Sequence, residues 1–346
     1  MKHSKGIFLL GKIVLMVLLL TIVLRQVQWH DLTTVDEAGQ TSTIPGVASN
    51  LKGVSPLFLL AAWASLFTAV TLSGARWYRL LLGIGISFRL KELIRLVYIG
   101  EFFNNFLPGS LGGDAVKIYL SLKNSSRKTA ILTSIFADRL LGLMSLSLIA
   151  AVMLGYQVLQ GNISGEALLL PLFPLALIGF GLTGGALLLF SDPLWALLGL
   201  NRFLDRIPFA DQIRRGGGIL RELATNRRDL PMIILYSLGC QTFSIIGVAF
   251  LGASLDLGLS LPQYLMSVPL IFILSAVPLT PGGVGLLEEL FLIYLAAAHN
   301  PNKILIMALL YRLLMILCGL PGLILFLTAG ATERKLLKTG DRNSGL

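Results

Sequence analysis

Two proline-glycine turns interrupt this chain in stretches otherwise apolar enough for a lipid bilayer. The first is Leu107-Pro108-Gly109-Ser110-Leu111-Gly112-Gly113-Asp114, and the second is Thr280-Pro281-Gly282-Gly283-Val284-Gly285. Both read Pro-Gly-x-aliphatic-Gly, and acidic residues lie close to both. Proline lacks a backbone donor and glycine loses the most conformational freedom on ordering, so each turn breaks a helix. At membrane depth, broken backbone is tolerated only where protein buries it or where it lines a watery cavity. Two breaks at corresponding places in two halves of a chain point to a transport-type binding site.

Composition supports the membrane setting. Of 346 residues, 55% are hydrophobic and 13% charged, with a mean hydropathy of +0.80; soluble domains carry roughly 25% charged residues. The sequence therefore reads as an all-α polytopic membrane protein, a single integral membrane domain. The net charge of +10 does not indicate nucleic acid, because the basic residues fall in particular loops, as the positive-inside rule describes. Cys240 and Cys318, both in apolar stretches, form no disulfide or metal framework, and the three histidines have no zinc spacing. No metal or other cofactor is expected.

Six spanning helices are expected over residues 7–24, 56–75, 129–155, 167–190, 231–253 and 304–329, each near the ~20 residues a bilayer core requires. The apolar run at 7–24 follows Lys2 and Lys5 and lacks a small-residue cleavage site, so it reads as a retained first helix. The segments before residue 7, at 76–91, at 123–128, at 191–230 and after 329 together hold 20 of the 28 basic residues. That side is the expected cytoplasmic face of a cell (inner) membrane, with both termini on it. The opposite loops hold only Arg25, Lys52 and Lys303.

Two apolar stretches remain, 93–122 and 264–298, and they contain the two turns. The first is flanked by basic loops at both ends, and the second begins and ends in the outer loops. The parity is met by a re-entrant hairpin entering from the cytoplasm and another entering from outside. A pair of short helices crossing fully would preserve the same parity. The order then repeats as two helices, a hairpin and one helix, in opposite orientation, over halves at approximately 1–160 and 161–329 with a cytoplasmic tail at 330–346. Pro108 and Pro281 are 173 positions apart, as are Arg139 and Arg312. This is the pattern of an inverted-topology repeat.

Charges inside the apolar segments gather near the turns: Glu101, Asp114, Lys117, Asp138, Arg139, Glu288, Glu289 and Arg312. Each costs about 2.5–3.5 kcal/mol at mid-bilayer unless it faces a cavity or a partner. Asp114 and Lys117 share one helix face, where they can pair, or Lys117 can meet a ligand phosphate that Asp114 counterbalances. Gly112 and Gly113 would open the half-helix N-terminus to an anion. Asn104 and Asn105 can bond a polar headgroup or satisfy the broken backbone, and Gly282 and Gly283 would let a headgroup approach the second turn. Arg139 and Arg312 are candidate phosphate clamps through bidentate guanidinium contacts, or they form ion pairs with Glu101, Asp138 or Glu288. A desolvated Glu288 is a candidate carrier of a coupling proton.

The run Gly100-Glu101-Phe102-Phe103-Asn104-Asn105-Phe106-Leu107-Pro108-Gly109-Ser110-Leu111-Gly112-Gly113-Asp114, the Asp138-Arg139 pair, and Pro278-Leu279-Thr280-Pro281-Gly282-Gly283-Val284-Gly285 with Glu288 together resemble the membrane-domain family of lysylphosphatidylglycerol synthases, the flippase-like domain family. The resemblance spans essentially the whole chain. It implies movement of lipids or lipid-linked substrates between leaflets. The synthases carry this domain fused to a soluble aminoacyl-transfer domain. Here a short polar tail follows the last helix, so aminoacylation of lipid is not expected.

The expected function is a transporter or flippase without ATP hydrolysis, acting on an anionic phospholipid or a polyprenyl-phosphate-linked lipid. Its partners are membrane lipids with phosphate headgroups. The alternatives are an intramembrane enzyme acting on a lipid phosphate, and an accessory subunit for a partner glycosyltransferase or synthase. No catalytic signature is present: the sequence lacks a P-loop, a Ser-His-Asp arrangement, a zinc signature and a Rossmann glycine pattern.

Overall fold

The computed structural model describes residues 21, 31–35, 41–44, 46–106, 112–123, 127–190, 210–226, 228–277, 279–280, 283–295 and 300–343. Apart from Thr21, the expected first helix at 7–24 lies outside the described residues. So do the turn residues 107–111, Pro278, Pro281, the candidate site residue Gly282, and residues 191–209.

Helices dominate, because runs of apolar residues in lipid can satisfy their backbone only within the segment. The described chain opens with an antiparallel ribbon, β1 (Leu32–Val35) and β2 (Thr41–Ile44), and the short helix α1 (Val47–Lys52). This ribbon is an addition to the all-helical expectation. Its Thr and Val residues favour extended backbone, and it lies in a polar loop. Asp31 ties the ribbon to α1 by accepting bonds from the Gly46 N–H at 2.7 Å and the Ser49 hydroxyl at 2.8 Å.

The helices that follow are α2 (Pro56–Gly83), α3 (Leu90–Phe106), α4 (Gly112–Lys123), α5 (Lys128–Leu159) and α6 (Leu169–Phe190). After them come α7 (Ala210–Thr225), α8 (Leu230–Ser254), α9 (Leu261–Ser275), α10 (Leu286–Leu295) and α11 (Pro301–Asn343). Four segments among the described residues are long and apolar enough to cross a membrane: α2, α5, α8 and residues Pro301–Thr328 of α11. Helix α11 continues beyond the expected boundary at 329, through the Ala-, Glu-, Arg-, Lys- and Leu-rich residues of the tail, which are strong helix formers.

The four helices that flank the two turns are shorter. At 1.5 Å per residue, α4 with 12 residues extends about 18 Å and α10 with 10 residues about 15 Å. Neither reaches the ~20 residues of a full crossing.

Packing follows a reciprocal scheme. Helix α2 packs against α8 in the most extensive helix pairing among the described residues. Helix α3 packs on α11, while α9 packs on α5. The short helix before each turn therefore lies against the long helix that follows the other turn. The starts of α5 and α11, at residues 128 and 301, are 173 positions apart.

Small residues allow the closest approaches. A Cβ on Gly113 would lie 1.9 Å from the Gly100 carbonyl oxygen, so α3 and α4 meet backbone to backbone. A Cβ on Gly322 would lie 2.0 Å from the Tyr98 oxygen, which sets α11 directly on α3. Two apolar clusters fill the rest. One, around Leu66, Val248, Ile271, Phe291 and Met307, joins α2 to α8–α11. The other, around Trp77, Leu80, Leu93, Ile131 and Ile233, joins α2, α3, α5 and α8.

Candidate functional site

Sequence alone assigned Arg76 to a basic loop after a helix ending at 75. The structure corrects this. Helix α2 continues to Gly83, and Arg76 lies inside it with 5% of its surface exposed. The helix can continue because the arginine finds a counter-charge. The Arg76 Nε donates to the Asp138 Oδ1 at 2.6 Å. The next residue, Trp77, donates its indole N–H to the Ser134 hydroxyl at 3.0 Å. The dipeptide Arg76-Trp77 thus fastens α2 to α5.

Asp138 and Arg139 point about 100° apart on α5, and they serve different neighbours. Asp138 faces α2, while Arg139 reaches α4, where its Nε donates to the Asp114 Oδ2. Asp114 is 6% exposed and also holds the Lys117 ammonium, with Nζ 2.6 Å from Oδ1. The Lys117 Nζ stands 5.8 Å from the centroid of the Trp77 ring, within cation–π range. One carboxylate therefore gathers two cations at the start of α4, and Trp77 connects that cluster to the Arg76–Asp138 pair.

The asparagines serve the broken backbone. Asn104 accepts a bond from the Gly113 N–H at 2.8 Å and so takes one of the unpaired donors at the start of α4. The Asn105 side-chain amide donates to the Glu101 carbonyl at 2.9 Å. Glu101 is half-buried and forms no salt bridge among the described residues.

The second turn carries a parallel arrangement. Gly283 and Gly285 have φ of 68° and 82°, a left-handed conformation that only glycine adopts without strain. Glu288, 1% exposed, reaches back to accept the Gly285 N–H at 2.8 Å. Arg312 of α11 donates through Nε to Glu288 Oε1 at 2.7 Å and through Nη2 to Oε2 at 3.1 Å. The same Nη2 also meets the Gly283 carbonyl at 3.1 Å.

After each turn, then, an acid in the first turn of the next short helix meets an arginine on the long helix that follows. Of the partners expected from sequence, Arg312 takes Glu288. Arg139 meets Asp114, a pairing that was not among those named from the sequence.

Two polar atoms beside the second turn are buried and have no hydrogen-bond partner among the described residues: the Thr280 hydroxyl and Glu289 Oε2. Buried polar atoms in native proteins are nearly always satisfied, so such exceptions call for an explanation. Neither residue was among the site residues chosen from sequence, although Glu289 was visible as a charge in an apolar segment. Arg76 and Trp77 were missed as well. The available signal was Asp138 itself, which cannot face Arg139 and so needs a cation from elsewhere in the bundle. Among the described residues no group of three or more His, Cys, Asp or Glu side chains is placed to hold a metal.

Comparison with known proteins agrees in kind. The family model described as the lysylphosphatidylglycerol synthase TM region matches residues 7–322. A UPF0104 membrane protein from Pyrococcus horikoshii is 26% identical over 254 residues, which cover 67% of this chain and 74% of that protein.

Proposed function

We propose, from the premise that this chain belongs to the family of the lysylphosphatidylglycerol synthase TM region, that it moves a lipid with a phosphate headgroup between bilayer leaflets. The chain is a multi-pass helical membrane protein. The observation that carries the proposal is the pair of braced turns, Asp114 with Arg139 and Glu288 with Arg312. Charges are expensive in lipid and are retained where a polar path requires them. Guanidinium groups suit phosphate, because they can exchange a carboxylate for another planar or tetrahedral oxyanion without losing donor geometry.

In this reading each turn is the tip of a re-entrant hairpin. The short α4 and α10 are consistent with it, since neither is long enough to cross. The reciprocal packing of α3 on α11 and α9 on α5, with the 173-residue offset, supports an inverted repeat. The basic loops support a reading with the first hairpin in the cytoplasmic half and both termini in the cytoplasm, in the cell's inner membrane. A headgroup entering between the hairpins meets Lys117, Arg139 and Arg312 in turn, while its chains remain in lipid. The unpartnered Thr280 hydroxyl and Glu289 oxygen offer hydrogen-bonding atoms at the second hairpin. The proposed activity is translocation, with no covalent bond made or broken.

The test is lipid movement in reconstituted vesicles. Purified protein should accelerate exchange of fluorescent phosphatidylglycerol between leaflets, read by chemical quenching of the outer leaflet. Arg139→Gln should abolish the acceleration while the protein still folds, because Arg139 is a third exposed and its removal leaves Asp114 paired with Lys117. Exchange no faster than in protein-free vesicles, with or without an imposed proton gradient, would sink the proposal.

A further inference from the structure

We infer that a second lipid site, separate from the hairpin pairs, lies at the start of α5 and holds the phosphate of an anionic lipid in the cytoplasmic leaflet. Its placement in that leaflet rests on the orientation proposed above, but the site does not depend on transport. A cleft of about 490 Å³ opens between the first turn of α5 and helix α7, lined by Arg127, Lys128, Thr129, Arg215, Ile219 and Glu222 among others. Three cations face one acid there.

The walls are fixed. The Arg127 Nη1 donates to the carbonyls of Ile84 at 3.0 Å and Gly85 at 3.3 Å, anchoring the start of α5 to the end of α2. Helix α7 is amphipathic. Its Leu223 is buried, and Ile219 and Leu220 pack with it against the core of α2 and α5. Gly216 brings α7 so close to α5 that a Cβ there would stand 3.0 Å from the Thr133 hydroxyl. Lys128 and Arg215 are exposed, and neither forms a salt bridge among the described residues.

Two features indicate a lipid rather than a soluble anion. First, α5 begins without a side-chain cap, so no side chain caps the first N–H groups of the turn that lines the cleft. Second, Lys128, Leu132 and Phe136 stand four residues apart and share one helix face, and Leu132 and Phe136 are 44% and 56% exposed. That face offers a cation at the interface and an apolar track directly below it. A headgroup in the cleft would lay its acyl chain along Leu132 and Phe136. Clusters of Lys and Arg at a cytoplasmic helix end attract anionic lipid in this way.

The experiment is hydrogen–deuterium exchange of the full chain in nanodiscs of graded phosphatidylglycerol content, against phosphatidylcholine alone. Peptides covering 127–133 and 214–223 should be protected as phosphatidylglycerol rises. The amount needed for half-protection should increase about fivefold in Arg215→Gln and again in Lys128→Gln/Arg215→Gln. Both residues are exposed, so folding is retained, and protection elsewhere in α5 reports on it. Because the readout is local, it can fail while lipid movement persists, and the reverse. The inference is overturned by equal exchange in the two lipids or by unchanged protection in the double variant. Equal protection by inorganic phosphate in phosphatidylcholine nanodiscs would assign the cleft to a soluble anion and overturn the lipid assignment.

Discussion

Arg312→Ala is expected to unfold the protein more readily than any other single charge removal in the described bundle. Its guanidinium spans both oxygens of Glu288 and the Gly283 carbonyl. The Glu288 side chain is 2% exposed and that of Arg312 18% exposed, so neither can turn to water when its partner is lost. Breaking a buried pair from one side costs about 3–5 kcal/mol, because the remaining charge stays desolvated. After the substitution, Glu288 keeps only the Gly285 N–H. The turn, already committed to left-handed backbone at Gly283 and Gly285, loses the group that bonds its carbonyl. Thermal melting of the detergent-solubilised protein should show a large loss. Glu288→Leu/Arg312→Met, which leaves no buried charge, should melt above Arg312→Ala. A double variant that melts lower than the single one would show that the pair stabilises by more than mutual compensation.

Gly322→Ala is the second large effect. Its added methyl would meet the Tyr98 oxygen at 2.0 Å and the Tyr98 carbonyl carbon at 2.3 Å. These are backbone atoms, which no rotamer change can clear, so α11 must back away from α3. One turn earlier, a Cβ on Gly319 would approach the Phe102 Cα at 2.9 Å, so the same face has no slack. Overpacking of this kind costs about 1–3 kcal/mol, and rigid backbone neighbours place it at or beyond the upper end. Gly113→Ala should behave alike, with 1.9 Å to the Gly100 oxygen where α4 meets α3. Gly179→Ala on α6 is the control. Nothing lies within 4 Å of its Cβ position, and alanine favours helix by about 1 kcal/mol over glycine. Melting curves should separate the two classes. A Gly322→Ala protein as stable as wild type would mean that α3 and α11 do not meet as described.

The long helices were legible because hydropathy and length speak directly to bilayer crossing. The expected α8 span at 231–253 falls one residue inside each observed end. Helix α2 was cut short at 75, since Arg76 and Arg79 look like loop charges until their partners are known. Asp138 lies 62 residues from Arg76 and Asp229 lies 150 from Arg79, so the pairs are created only by packing α2 on α5 and α8. The candidate site was readable in its residue types but not in its wiring. Local spacing made Asp114–Lys117 foreseeable, whereas Arg139–Asp114 needed the packing of α4 on α5. Asn104 illustrates the same limit. From sequence its oxygen had no assigned donor, and the close α3–α4 approach brings the Gly113 N–H to it.

The proposed entry of two hairpins into one polar site from opposite faces of the membrane is tested most directly by cysteine accessibility in intact and inverted vesicles. The native Cys240 and Cys318 are buried, so background labelling should be low. Ala115 is exposed beside the first turn, and Val284 is half-buried in the second. With a membrane-impermeant maleimide, Ala115→Cys should label from the cytoplasmic face and Val284→Cys from the outer face, and added phosphatidylglycerol should slow both. Labelling of both positions from the same face would contradict the account.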